Sequence, residues 1–310
     1  MDIGGVIIER GVPLKALTTF GIGGPADVVY PESTEQLVNI ADTLRGRGER
    51  FWVIGGGSNV LAADEGVGGV VVGTKKMYNV QCTTYNGGRY YVTCECGVML
   101  PRLAAVARDG GLTGLEWAAG IPATVGGATA GNAGAYGGCM AGIVRGVSVW
   151  LDGRVIRLSN AECRFGYRDS IFKRGKGIIL SAEIALRLGD RERIAQIMAE
   201  NAAKRREAQP SGKSAGSVFK KCGDVSAGYL IETAGLKGLK IGGAEVSQKH
   251  ANFIINSGGA TARDVYGLIE AAAGKVLAMH GARLEPEIIF FCNKGDISYD
   301  TGRLPYAFCF

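Results

Sequence analysis

The feature that most constrains this chain is residues 118–136. It is a run dominated by Gly, Ala, Thr and Asn, with one Pro and very few large side chains before Tyr136. Such a stretch cannot build a core of its own, so it must lie against something else. Where Cβ atoms are missing, main chain can approach a large flat ligand directly and present N–H groups to it. A second glycine cluster, Gly55, Gly56, Gly57, Ser58 and Asn59, follows the strand-like residues 51–54. Two backbone-rich surfaces in one chain point to a large, phosphate-bearing cofactor rather than a small substrate alone.

The length of 310 residues accommodates two or three domains. Charged residues at 21% and hydrophobic residues at 46% describe a globular chain able to bury a core. The formal net charge of +6 fits an anionic ligand. Lys and Arg are nevertheless mostly interspersed with acids, and a solvated surface is the better account of the charge. The densest basic run, Lys204, Arg205 and Arg206, is too short to argue for nucleic acid. The cysteines at 82, 94, 96, 139, 163, 222, 292 and 309 include no Cys-x-x-Cys pair, which favours structural thiols over a zinc site. The first residues lack a basic segment followed by an apolar one, and no apolar run is long enough to span a bilayer. The expectation is a cytoplasmic, thiol-reduced protein without a signal peptide, metal, membrane anchor or nucleic-acid partner.

The first segment reads as a strand at 27–30, a helix and a strand at 51–54, with another strand at 69–72. Ser33 and Gln36 have the spacing of a capping box, and Leu37, Ile40, Ala41 and Leu44 fall on one helical face. The middle holds a strand at 90–94, a helix at 100–107 with Pro101 near its start, and strands at 147–150, 154–158 and 177–188. Asp152 and Gly153 mark a hairpin between the first two of those three. Residues 190–208 are charged and helix-prone, with Ile194, Ile197 and Met198 on one face. Residues 210–214 form the best boundary. The last segment carries a helix at 228–234, a strand at 252–256, a helix capped by Thr261 and Asp264, and a strand at 287–291. The apolar face of that capped helix is Val265, Leu268, Ile269, Ala272 and Val276. The predicted organisation is therefore 1–75, 76–208 and 209–310.

Three motifs mislead. Residues 21–26 match G-x-G-x-x-A, but Pro25, Val28 and Val29 lead into a strand, whereas a Rossmann fingerprint must open a helix. Gly212, Lys213 and Ser214 look like the end of a P-loop, but Glu207 stands where its first glycine belongs. Gly127 and Gly131 have membrane-dimer spacing with no membrane helix around them. The chain holds only two histidines, which leaves little for a triad or a His-based metal site. His280 reads as a capping charge at a helix end. For His250 the sequence leaves structural and functional roles open.

Three segments could carry chemistry: 164–173, 214–220 and 284–288. By spacing alone the favoured reading of each is a turn with an ion pair. Together with both glycine clusters and residues 243–253, in the same order along nearly the whole chain, they resemble the UDP-N-acetylenolpyruvoylglucosamine reductase family, which makes UDP-N-acetylmuramate for peptidoglycan.

The resemblance implies a mixed α/β (α+β) protein with a vanillyl-alcohol-oxidase-type FAD-binding fold of two subdomains plus a C-terminal α/β substrate domain. It implies non-covalent FAD, NADPH as co-substrate and a UDP-sugar substrate. Residues 55–59 would wrap the pyrophosphate as an anion nest. Gly120, Ile121, Pro122, Thr124, Val125, Gly126, Gly127, Gly131, Asn132, Ala133 and Gly134 would line the cofactor. By the same resemblance Arg168 stabilises the enolate formed by hydride addition, Glu287 holds or polarises that intermediate, and Ser217 donates the final proton. Tyr167 and Lys220 are implied to touch substrate. Two features depart from the family's common pattern. Lys221 and Cys222 stand where Asn-Pro is frequent, and no Tyr-bearing loop follows the strand ending near Leu188, as in the shorter subclass. Lys204–Arg206 could face substrate phosphates or form a solvated helix end. The alternatives are an alcohol or lactone oxidase on the same fold, and a non-catalytic nucleotide-binding protein.

Overall fold

The computed structural model describes residues 2–86, 89–175 and 177–293. Its first sheet runs in the order Glu9–Pro13, Pro25–Val29, Val70–Gly73 and Phe51–Ile54; the first pair is antiparallel and the others parallel. The helix Thr34–Gly46 makes the crossover between parallel strands. Leu37, Ile40, Ala41 and Leu44 are each 0% exposed, so the predicted stripe is the buried face. At its start Ser33 Oγ accepts from Gln36 N at 3.2 Å. The reciprocal half of the box is displaced by one residue: Gln36 Oε1 accepts from Glu32 N at 2.7 Å instead of from Ser33. The strand Pro25–Val29 occupies the place where a Rossmann site would need a helix.

The second sheet is antiparallel, in the order Arg154–Ser159, Val144–Leu151, Ile178–Leu188, Arg89–Glu95 and Val80–Asn86. Its hairpin turns at Asp152 (φ 51°) and Gly153 (φ 79°), two successive left-handed residues that follow the twist of the flanking strands. In the central strand Leu180, Ala182, Ile184 and Leu186 alternate into the core. Cys94 and Cys96 are buried in the same core, and burial pushes both thiols up to about 12, so neither is a nucleophile at neutral pH. The glycine run packs on this sheet as a short helix, Val125–Ala130, which the sequence had not announced. Glycine is a poor helix former, so packing rather than propensity holds it.

Residues 209–293 add the helices Ala227–Thr233 and Ala262–His280 around a small sheet of Lys240–Ile241, Ala244–Val246 and Ile254–Asn256. The longer helix has the predicted capping box: Thr261 Oγ1 accepts from Asp264 N, and Asp264 accepts from Thr261 N. His280 ends this helix, where its Nε2 lies 3.1 Å from Thr233 Oγ1 on the neighbouring helix. The strand Ile289–Phe291 then returns to pair in parallel with Val60–Ala62. Phe20, Ile22, Leu61 and Ala63 share a core with residues of this last third. The chain therefore closes back over the end of the first sheet, and a groove is left where its parts meet. Among the described residues no helix is long and apolar enough to cross a membrane. The tail aromatics Tyr299, Tyr306, Phe308 and Phe310, with Cys309, lie outside the described residues.

Candidate active site

That groove is a cavity of about 630 Å³, within the range of small-molecule and cofactor sites. One wall is the predicted cradle: Gly55, Gly56, Gly57, Ser58 and Asn59 face Gly120, Ile121, Pro122, Thr124, Gly126 and Gly127, with Gly131, Ala133 and Gly134 beyond. The glycines answer first to the protein itself. A Cβ on Gly55 would lie 2.3 Å from Thr124 Oγ1, so the two glycine-bearing loops press directly on each other. A Cβ on Gly57 would lie 2.0 Å from Leu17 O, and Gly57 holds φ +63°. Among the described residues the N–H groups of Gly56, Gly57 and Ser58 meet no protein acceptor. Successive unpartnered N–H groups on a cavity wall fit a pyrophosphate.

Val125 and Asn132 do not line the cavity. Val125 is 0% exposed within the core. Asn132 donates from Nδ2 to Gly166 O at 2.7 Å and accepts from Ala141 N at 2.9 Å, which ties the glycine run to the turn carrying Arg168. Ser170 adds a second tie, donating from Oγ to Ala130 O at 2.7 Å. Within the turn Gly166 and Asp169 exchange backbone hydrogen bonds of 2.9 and 3.3 Å. Arg164 and Arg168 are left-handed, with φ of 47° and 52°. Backbone strain of this kind persists only where the surroundings impose it, and it concentrates at functional sites.

Arg168, Ser217 and Glu287 line the same cavity as the cradle. Their meeting has a backbone cause. Glu287 N donates to Val218 O at 2.7 Å and Lys220 N to Glu285 O at 2.9 Å, so the segments after Gly216 and before Ile288 pair. Asn252 fixes the first of them: Phe219 N donates to its Oδ1 at 2.9 Å and its Nδ2 donates to Phe219 O at 2.8 Å. His250 Nδ1 accepts from Asn252 N at 3.2 Å, and burial lowers its pKa; this ring supports the clamp. Asn59 joins the cradle to the backbone that carries Glu287, donating from Nδ2 to the Glu287 main-chain O at 3.1 Å.

Arg168 Nε lies 2.9 Å from Glu287 Oε1. The N–H is poorly directed at the oxygen and has no aligned acceptor, so the contact is ionic rather than a full hydrogen bond. Burial raises the pKa of Glu287, against the opposing pull of Arg168, Lys173 and Lys220. Tyr167 and Lys220 stand off the cavity wall. Tyr167 is 57% exposed, with the Arg168 guanidinium 5.9 Å from its ring centre. Lys220 pairs with Glu285 at 2.5 Å. Sequence reasoning missed Thr19, Lys173 and Phe172 on the wall, although the last two lie inside a segment it had marked. It left Arg205 as one of three basic residues, and the cavity singles it out.

Residues 208–291 match the family model for the C-terminal domain of UDP-N-acetylenolpyruvoylglucosamine reductase, and residues 25–159 match one described as an FAD binding domain. A UDP-N-acetylenolpyruvoylglucosamine reductase of Heliobacterium modesticaldum is 45% identical over 287 residues, covering 91% of this chain and 90% of the relative. One from Clostridioides difficile is 40% identical, covering 91% and 92%. The chain belongs to the UDP-N-acetylenolpyruvoylglucosamine reductase family. The crystal structure of that reductase from Thermus caldophilus superposes with a TM-score of 0.78 at 38% identity, covering 92% of this chain and 99% of that one. The fold is the vanillyl-alcohol-oxidase-type FAD-binding fold with a C-terminal α/β unit. The helix Arg191–Ala208 begins directly after the strand ending at Leu188, with no inserted Tyr loop, as the shorter subclass of this family requires.

Proposed function

We propose that this protein is a cytoplasmic, NADPH-dependent flavoenzyme that reduces the enolpyruvyl group of UDP-N-acetylglucosamine enolpyruvate, giving UDP-N-acetylmuramate. The observation that carries the reading is the convergence of Arg168, Ser217 and Glu287 on one cavity whose far wall is bare main chain. Non-covalent FAD, with NADPH as co-substrate, would supply the hydride chemistry that reduces the enolpyruvyl ether. The N–H groups of Gly56, Gly57 and Ser58 would hold its phosphates. The division into 1–75 and 76–208 for the cofactor and 209–310 for the substrate belongs to the same reading.

Hydride addition leaves an enolate beside a carboxylate. Arg168 meets that charge in place, so no reorganisation is needed at the moment of reaction. A unit charge about 4 Å away is worth roughly 4 kcal/mol at an effective dielectric near 20, or about a thousandfold in rate. Glu287 orients the guanidinium, and its raised pKa suits it to polarise the intermediate. Ser217 is a weak acid and acts through position on a very basic carbanionic carbon. Arg205, on the cavity wall, would meet the diphosphate, and Tyr167 and Lys220, beside the wall, would contact the substrate.

Anaerobic spectroscopy tests the reading. The purified protein is yellow, NADPH bleaches it, and the enolpyruvyl sugar nucleotide restores the colour. Ser217→Ala keeps the bleaching and loses the restoration. Rapid reoxidation by oxygen with an alcohol donor would indicate an oxidase instead, and a colourless preparation a nucleotide-binding protein without catalysis.

A further inference from the structure

Among the described residues Lys173 is the one lysine on the cavity wall, and the reaction just described gives it no task. It sits in the short turn Ile171–Arg174, directly after the segment that carries Arg168. Its Nζ donates to Arg168 O at 3.1 Å. That carbonyl belongs to a residue held at φ 52°, a conformation that costs a residue with a Cβ roughly 1–2 kcal/mol. Asn132 and Ser170 tie the flanks of the turn, at Gly166 and Ser170. The Lys173 bond reaches the strained residue itself.

The geometry points to Lys173 as a positioning residue for the second half-reaction: its ammonium grips the Arg168 carbonyl and keeps the guanidinium aimed at the reacting carbons. The inference rests on the function proposed above. The charged groups around Lys173 are Arg168, Lys220, Glu287, Asp169 and Glu285. Asp169 is paired with Arg174, and Glu285 with Lys220, so Glu287 is the nearby carboxylate without another cation of its own beyond Arg168. Burial, followed by the charge of Lys220, holds the pKa of Lys173 below the ordinary lysine value. The ammonium is therefore lost earlier than usual as pH rises, and its grip weakens with it.

The test uses the FAD-loaded full chain with Lys173→Met and Lys173→Arg. Bleaching by NADPH stays at the wild-type rate in both. Restoration by saturating enolpyruvyl sugar nucleotide slows by about ten- to a hundredfold in the Met variant, the loss expected for a charge-assisted hydrogen bond, and recovers most of the way in the Arg variant. Affinity for UDP-N-acetylmuramate, measured by calorimetry on the oxidised protein, changes less than about threefold, because the residue orients rather than binds. The alkaline fall of the restoration rate moves to higher pH in the Arg variant, which keeps its charge. Wild-type restoration in the Met variant overturns the proposal, as does a loss carried wholly by product affinity or equally by bleaching. If the Met variant fails to hold FAD, the Arg variant decides: an alkaline limb left where the wild type has it overturns the proposal. A wild-type protein that the sugar nucleotide does not reoxidise sinks the underlying function instead.

Discussion

The two walls of the cavity obey opposite constraints. The cradle from Gly55 to Asn59 and across to Gly134 is main chain packed on main chain, with almost no room for an added Cβ at Gly55 or Gly57. Its polarity comes from neutral amides fixed by that packing. The opposite corner is made of ionic side chains on a strained turn: Arg168, Glu287 and Lys173. The cradle should therefore tolerate changes of charge nearby but not of volume, and the corner the reverse. The cradle selects a shape; the corner stabilises a charge that exists only part-way through the reaction.

The largest effect expected is at the corner. Arg168→Ala should leave FAD content and NADPH bleaching near wild type while slowing restoration by roughly a thousandfold. Ser217→Ala should fall in the same range, about 100- to 10,000-fold, because it removes the positioned proton. Stopped-flow traces of the two half-reactions separate these outcomes. Loss of FAD from Arg168→Ala, with a normal rate in whatever protein retains it, would erase the contrast between the walls.

A volume change in the cradle should act the other way round. Gly57→Ala puts a methyl group 2.0 Å from Leu17 O, a backbone atom that cannot swing aside, at φ +63°. The left-handed backbone alone costs about 1–2 kcal/mol, and relief of the clash must move the loop. The variant should purify pale, with the flavin absorbance recovered per mole of protein well below wild type, and with its restoration rate per bound flavin little changed. Full flavin occupancy would show that the cradle yields more easily than its packing suggests.

The two walls also differed in how far the sequence disclosed them. The cradle is local: strand then glycines, and a long run of small residues, each visible without knowing what lies opposite. The helical stripe from Leu37 to Leu44, the Thr261 box and the Asp152–Gly153 hairpin are legible for the same reason, since periodicity, capping and turn chemistry act over a few residues. The corner is not local. Arg168, Ser217 and Glu287 meet because two irregular segments pair and Asn252 clamps one of them, and no period or spacing encodes that. Only the family's motif order singled them out. Asn132 and Val125 show the converse: a motif reads as one surface, whereas its residues divide between cavity wall, turn support and core. Lys173 and Arg205 were within quoted segments, and the facing wall was needed to distinguish them from solvated neighbours.

A smaller effect separates stability from activity at the corner. The pKa of Glu287 is raised chiefly by burial, so the folded state binds its proton more tightly than the unfolded chain does. Its contribution to stability is then present below the ordinary Glu pKa and is lost as pH rises through the raised value. At neutral pH the ionised carboxylate is a net burden on the fold. Glu287→Gln should raise the thermal midpoint at pH 7 while nearly abolishing restoration, and the gain should shrink as pH falls toward the ordinary Glu range. A midpoint lowered at pH 7 would mean that the attraction of Arg168, Lys173 and Lys220 outweighs burial, contrary to the direction inferred here.

The smallest effect should appear where the walls are joined. Thr19 donates from Oγ1 to Ser214 O at 2.7 Å, and its N–H donates to Gly57 O at 3.0 Å. One residue thus links the cradle to the segment that presents Ser217. Thr19→Val removes the hydroxyl, keeps most of the shape and leaves the backbone bond to Gly57 in place. A single neutral hydrogen bond contributes about 1 kcal/mol, or roughly fivefold if all of it is felt in the rate. Because the cradle keeps its own packing, FAD content and bleaching should hold, and restoration should slow by no more than that factor. Equal slowing of both half-reactions would show that the walls move as one body and that their separation is less complete than their construction implies.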